Sequence, residues 1–147
     1  MTDPIILLVE DSSSDEELTL RALRKSNIGN RVVVARDGAE ALDYLFLQGA
    51  FAARDPSEVP QVVLLDLNLP KIGGLEVLRR IRADQRTKLL PVVILTSSRE
   101  DKDLLGGYAS GANSYVVKPV DFAQFANAVQ QLGMFWLVVN EPPPAVA

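Results

Sequence analysis

The sequence predicts an α/β protein, a three-layer doubly wound five-stranded parallel sheet with helices on both faces. Three observations lead there. Short apolar runs alternate with helical patterns five times along the chain. The runs are continuous rather than alternating in polarity, as strands buried on both faces are. Four of them end on a polar or charged group, at the strand end where open parallel sheets hold their ligands.

The first strand, Ile5-Ile6-Leu7-Leu8-Val9, closes on the acid pair Glu10-Asp11. Ser12-Ser13-Ser14 before Asp15-Glu16-Glu17 reads as a helix start, with Ser13 and Glu16 at capping-box spacing. Leu18, Leu20, Ala22 and Leu23 give the helix of about residues 14–26 an apolar side, and Asn27-Ile28-Gly29-Asn30 ends it. Val32-Val33-Val34-Ala35 reads as a short buried second strand. Asp37-Gly38 then turns into a helix with Ala39, Leu42, Leu45 and Phe46 at helical spacing. Residues 48–61 form a loop longer than such units usually carry. Such a loop is either a functional insertion or a floppy surface turn, and since it holds nothing catalytic the second reading is preferred.

The third strand, Val62-Val63-Leu64-Leu65, ends at Asp66, and Asn68-Leu69-Pro70 and Gly73-Gly74 follow. A helix over about 74–84 turns Leu75, Val77, Leu78 and Ile81 inward and Arg79, Arg80 and Arg82 outward. The fourth strand, Val92-Val93-Ile94-Leu95, ends at Thr96. A helix over about 101–110 is weak, because Gly106 and Gly107 each cost about 1 kcal/mol relative to alanine. The fifth strand, Tyr115-Val116-Val117, ends at Lys118-Pro119, and a last helix runs from Asp121 to about Leu132. The whole reads as one domain over 1–147, with a core of about 4–133 and a C-terminal extension at 134–147.

Composition narrows the function. At 147 residues the chain can bury a proper core, and its 48% hydrophobic and 23% charged residues suit a soluble globular protein. A net charge of −4 disfavours nonspecific nucleic-acid binding, which rests on basic charge. No apolar run approaches the roughly 18 residues that span a bilayer. Met1-Thr2-Asp3-Pro4 lacks a basic signal-peptide start, so a cytoplasmic protein without membrane attachment is expected. Without cysteine there are no disulfides or thiolate metal sites. Without histidine there is no histidine acid/base catalysis, no histidine metal ligand and no phosphohistidine on this chain. Any phosphoryl donor is another molecule.

Among doubly wound orders, 2-1-3-4-5 sets strands one and three side by side. Glu10, Asp11 and Asp66 then converge at one sheet edge, and three carboxylates this close need a cation. Hard oxygen ligands with room for water suit Mg²⁺. A carboxylate beside Mg²⁺ can attack phosphorus and form an acyl phosphate. Lys118 is a compact positive charge for the transferred group, and the Thr96 hydroxyl can hydrogen-bond a phosphoryl oxygen. Singly, these residues read as helix caps or solvated side chains. Together, at successive strand ends, they read as a site.

The arrangement resembles the receiver domain of bacterial two-component response regulators, the CheY-like family within the flavodoxin-like folds, over about residues 4–133. That family's strand order is 2-1-3-4-5, a feature the resemblance supplies. It implies that Asp66 is the phosphoacceptor, that Asp11 binds Mg²⁺ directly, Glu10 mainly through water and Asn68 through its backbone carbonyl. Thr96 and Lys118 become the switch and charge residues, and Tyr115 the aromatic that turns inward after phosphorylation. Asn68 and Ser98 stand where they would tune hydrolysis. Glu10 departs from the aspartate many receivers carry there, yet stays acidic.

The long loop and the ending Phe135-Trp136-Leu137-Val138-Val139-Asn140-Glu141-Pro142-Pro143 resemble a narrower group, stand-alone receivers that pair with bacterial phytochromes and related hybrid kinases. The resemblance implies a histidine kinase partner and a phosphoacceptor that catalyses at most its own phosphorylation and slow dephosphorylation. Without an effector domain, output is expected through protein contacts. The apolar stretch Met134–Val139 either folds back on its own domain or, the preferred reading, forms a surface for a homodimer through the last helix, the last strand and Phe135 and Trp136. Three rivals remain. A receiver-like interaction module would keep the fold without phosphorylation. A haloacid-dehalogenase-type phosphatase would carry a second acid where Asn68 stands. A flavin-binding protein would want a phosphate-cradling loop where Glu10 and Asp11 repel phosphate.

Overall fold

In the computed structural model, which describes residues 5–25, 31–96, 111–118 and 123, five strands run parallel. They are β1 (Ile5–Val9), β2 (Arg31–Ala35), β3 (Val62–Asp66), β4 (Val92–Thr96) and β5 (Ser114–Val117), ordered β2-β1-β3-β4-β5. The expected α/β class and strand order therefore hold. Every residue of β1, β3 and β4 is buried, which is why their sequences are unbroken apolar runs. The burial expected of the second strand does not hold, because β2 is at the sheet edge and Val32, Val33 and Val34 are only half-buried. Full burial of one such leucine or isoleucine contributes about 1.5–3 kcal/mol.

Successive side chains leave the sheet on opposite faces. Ile6, Leu8, Val62, Leu64, Val93, Leu95 and Val116 pack on one face with Ala22 and Leu23 of α1 (Ser13–Lys25). Leu7, Val9, Val63, Leu65, Val92 and Ile94 pack on the other with α2 (Gly38–Phe46) and α3 (Gly74–Ala83). The sheet is thus the middle of three layers.

Helix α1 starts one residue earlier than its spacing suggested. Its cap is Ser12, whose Oγ accepts the Asp15 N–H at 3.2 Å while its carbonyl accepts the Glu16 N–H at 2.9 Å. Ser13 and Glu16 form no capping box, because Ser13 already lies inside the helix; Glu16 pairs with Arg36. The buried face carries Thr19 beside Ala22 and Leu23, with Leu18 and Leu20 only partly covered. Helix α2 is capped by Asp37, whose Oδ1 accepts the Glu40 N–H at 2.7 Å.

Two further sequence expectations change. The segment 48–61 is an organised turn rather than a floppy one. It contains a 3₁₀ turn at Gly49–Phe51, and the Arg54 guanidinium lies 4.4 Å from the Tyr44 ring centroid. Arg54 also donates to the carbonyls of Tyr44 at 2.9 Å, Asp55 at 3.1 Å and Glu58 at 2.6 Å. One planar five-donor group thereby satisfies backbone that would otherwise turn to water.

The second change is Arg82, which points inward. It donates to the carbonyls of Leu90 at 2.6 Å, Gly111 at 2.9 Å and Lys88 at 3.2 Å, and to Asn113 Oδ1 at 2.9 Å. Those acceptors cluster past the C-terminus of α3, and apolar spacing alone could not announce them. Arg79 and Arg80 do stay exposed, sharing Glu76.

The helices expected over 101–110 and 121–132, Ser98 and the extension 134–147 lie outside the described residues, apart from a helical residue at 123. Among the described residues no helix is long and apolar enough to cross a membrane.

The Asp37 cap yields a stability prediction. The Glu40 N–H, with Lys71 adding its charge, holds the Asp37 carboxyl below its ordinary value of 3.8. A depressed folded value means stability present above about pH 4 and lost as the pH falls through the folded value. Asp37→Ala should cost about 1 kcal/mol at pH 7 in urea denaturation. The deficit should shrink below about pH 4, as the wild-type cap itself protonates.

Candidate functional site

The register decides what meets at the C-terminal edge. Val9 lies across from Leu65, so the next residues, Glu10 and Asp66, come level. Asp66 lies across from Leu95, and Thr96 across from Val117, just before Lys118. Glu10 is fully buried, Asp66 nearly so and Asp11 exposed, and one carboxylate oxygen from each lies within 4.8 Å of the others.

Lys118 binds this cluster together. Its Nζ lies 2.7 Å from Glu10 Oε1, 3.0 Å from Asp15 Oδ2 and 3.2 Å from Asp66 Oδ2. The remaining oxygens are also held: Glu10 Oε2 accepts the Ser12 N–H at 3.3 Å, and Asp66 Oδ1 accepts the Asn68 N–H at 3.1 Å. Burial pushes the Glu10 carboxyl up to about 7, against the pull of Lys118 and with the push of Asp66. Burial works against the Lys118 ammonium too, but its hydrogen bonds to Glu10 and Asp15 and the charge of Asp66 win, and its pKa rises. The lysine is therefore charged throughout the physiological range.

The loop after β3 is folded back hard. The Leu67 N–H reaches the Leu95 carbonyl at 3.1 Å, and the Gly74 N–H returns to the Leu67 carbonyl at 3.1 Å. A Cβ at position 74 would run into the Asp66 carbonyl, so only glycine closes this turn. The loop also seats on the start of α2. The Ile72 carbonyl occupies the space a Cβ on Gly38 would need, and Lys71, at φ 66°, reaches Asp37 at 3.3 Å.

The other expected residues fall as follows. Thr96 is fully buried at the same edge, and its carbonyl accepts the Lys118 N–H at 2.7 Å. Asn68 is tied to Asp66 through its backbone N–H. Tyr115 lies across from Ile94, two residues short of the edge and about 7 Å back along the strand, with 37% of its surface exposed. It is not among the carboxylates. Asp15 is the residue that sequence reasoning missed. Its signal was present, since a helix opening directly after β1 must place its first turn beside the strand ends. The capping pattern absorbed it.

Three hard oxygen donors, two of them buried and the third exposed, fit a divalent cation with water completing its shell. The cluster is short of positive charge with Lys118 alone.

Comparison with known proteins agrees with this geometry. Residues 6–130 match the family described as the response regulator receiver domain. The chain is 38% identical over 141 residues to the response regulator Rcp1 of Synechocystis, covering 96% of this chain and 94% of Rcp1. It is similar to the solved bacteriophytochrome response regulator RtBRR, with TM-score 0.85 and 54% identity over 97% of this chain and 86% of that one. The phosphorylated cyanobacterial phytochrome response regulator RcpA gives TM-score 0.80 at 37% identity, over 97% of this chain and 100% of that one. A Mn²⁺-bound structure of Rcp1 matches with TM-score 0.78 at 36% identity, over 96% and 99% of the two chains.

Because Lys118 and a cation would share Glu10 and Asp66, they should compete. Calorimetric titration with Mg²⁺ should show Asp11→Asn binding at least tenfold more weakly and Lys118→Met about tenfold more tightly than wild type, a difference of about 1.4 kcal/mol each way. Weaker binding by Lys118→Met would contradict the competition.

Proposed function

The chain belongs to the response regulator receiver domain family and is a two-component response regulator, and from that premise we propose that Asp66 is its phosphoacceptor. The observation carrying this reading is the Asp66 carboxylate, held at a strand end between Lys118 and two further acids. The donor is a phosphohistidine on a histidine kinase. Bacteriophytochrome kinases and related hybrids are the favoured class, because RtBRR and RcpA carry phytochromes in their descriptions.

In the transfer, an Asp66 carboxylate oxygen forms a bond to phosphorus as the P–N bond of the phosphohistidine breaks, and the imidazole nitrogen leaves with the electron pair. Lys118 supplies the local positive charge for the phosphoryl oxygens, and Thr96 offers its hydroxyl to one of them. Mg²⁺ is the proposed cation, held by Asp11, Asp66 and the Asn68 carbonyl, with Glu10 acting through water. When bound it neutralises charge on the phosphoryl oxygens. The Mn²⁺-bound Rcp1 supports a cation here. Slow hydrolysis follows when water attacks the same phosphorus, the P–O bond to Asp66 breaks, and inorganic phosphate leaves. The protein is thus a phosphoacceptor that catalyses at most these steps on itself.

Movement of Thr96 toward the phosphoryl group lets the exposed Tyr115 turn inward, shifting a two-state equilibrium. The unit is one cytoplasmic receiver domain over 1–147, with a core of about 4–133. Its output is a protein contact, and a homodimer through the last helix, β5 and Phe135 and Trp136 is the proposed form. Contiguous apolar residues at Met134–Val139 support it.

Intact-protein mass after incubation with acetyl phosphate and Mg²⁺ tests the central reading. One phosphoryl adduct is expected on wild type, and none on Asp66→Asn or after chelation of the metal. An adduct that survives Asp66→Asn would move the acceptor elsewhere. For the dimer, analytical ultracentrifugation should show a dimeric wild type and a Trp136→Ala protein shifted toward monomer. An unchanged sedimentation coefficient would rule that surface out.

A further inference from the structure

We propose that Asp15 is a positioning residue of the phosphoryl site: it holds the Lys118 ammonium toward α1 while Asp66 is unmodified, and surrenders it when a phosphoryl group arrives. This rests on the phosphoacceptor reading of Asp66 and assigns a regulator to that same site.

The argument begins with donor capacity. An ammonium has three N–H groups, and Lys118 has three carboxylate oxygens within reach, on Glu10, Asp15 and Asp66. Its side chain is only 10% exposed, so little water stands ready to take over a bond. A phosphoryl group on Asp66 can gain more of the Lys118 ammonium than Asp66 already holds only if another carboxylate gives way.

Burial decides which one yields. Glu10 is fully buried, and stripping a buried carboxylate of its cation is strongly unfavourable. Asp66 is the modified group itself, so its own hold on Lys118 passes to the phosphoryl oxygens. Asp15 is 33% exposed, so water can solvate its carboxylate as soon as the lysine leaves. It is also the partner held from a different element. Its N–H is fixed on the Ser12 cap in the first turn of α1, which keeps the carboxylate stationed beside the site. Asp15 is therefore the exchangeable ligand of Lys118.

Two consequences act in one direction. While Lys118 is engaged by Asp15 it is less available to the incoming group, and the Asp15 charge repels a phosphoryl anion. Asp15 restrains phosphorylation of Asp66.

The test is the rate of adduct formation with acetyl phosphate at saturating Mg²⁺, followed by intact mass for wild type, Asp15→Asn and Asp15→Glu at low and high ionic strength. The chemistry in each is the same: an Asp66 oxygen bonds to phosphorus and acetate leaves. Asp15→Asn should react about threefold faster or more at low salt, a gain expected for removing one charge at this range. The gain should shrink at high salt, where the charge is screened, and Asp15→Glu should react like wild type. A loss of packing or folding would not produce a faster, salt-dependent rate rescued by glutamate. An Asp15→Asn rate equal to or below that of a reactive wild type overturns the proposal while leaving the phosphoacceptor reading intact. A wild type that forms no adduct overturns the phosphoacceptor reading and this proposal with it.

Discussion

Lys118 carries one positive charge into a nearly closed site where Glu10, Asp15 and Asp66 all approach within 3.2 Å, and the architecture of that edge depends on this set of ion pairs. Removing acids from water is costly, and only a matched counter-charge with satisfied oxygens offsets it. The structure meets that demand in part, with one lysine facing several acids. The lysine answers one oxygen of each acid, and backbone N–H groups of Ser12 and Asn68 answer second oxygens of Glu10 and Asp66. Apolar packing holds the sheet together elsewhere, whereas at this edge charge balance does.

Such a balance is reachable only because the register is fixed. A slip of one residue would turn the side chains of β1 or β3 to the opposite face and separate Glu10 from Asp66. Complete burial of both strands makes such a slip prohibitive. The hydrophobic layers thus do more than stabilise. They set the level at which four strand ends stop, and so the distances over which the charged groups meet. The opposite end of the molecule is treated differently: Arg82 bonds three loop carbonyls and Asn113 there, a structural tie among groups with no exchangeable partner in view.

Much of this was legible in the residues. Continuous apolar runs gave the strands to within a residue, because burial on both faces leaves no room for polar alternation. The acids and Lys118 were legible because each follows such a run directly. The misreadings share a cause. Arg54 and Arg82 act through long side chains on loop carbonyls, and Asp15 on a lysine 103 residues away, and periodicity carries no record of those partners. Arginine beside a helix end looks the same in sequence whether it faces solvent or gathers carbonyls. The start of α1 was misplaced by one residue for a related reason, since three consecutive serines look like equivalent caps in sequence and only the structure shows the first-turn N–H groups going to Ser12.

The seating of the 67–73 loop on α2 has a consequence for how such a molecule can change over generations. Gly38 leaves space for the Ile72 carbonyl, Gly74 leaves space for the Asp66 carbonyl, and Lys71 reaches across to Asp37. These positions lie on three segments and belong to one joint. A duplicated copy of this gene drifting toward a new partner could vary its exposed helix surfaces one residue at a time. It could not do so at this joint, where a side chain gained at position 38 or 74 would displace the loop carrying Asn68 unless the loop changed with it. Inheritance should therefore move these positions as a block, and diversity among descendants should accumulate around the joint rather than within it.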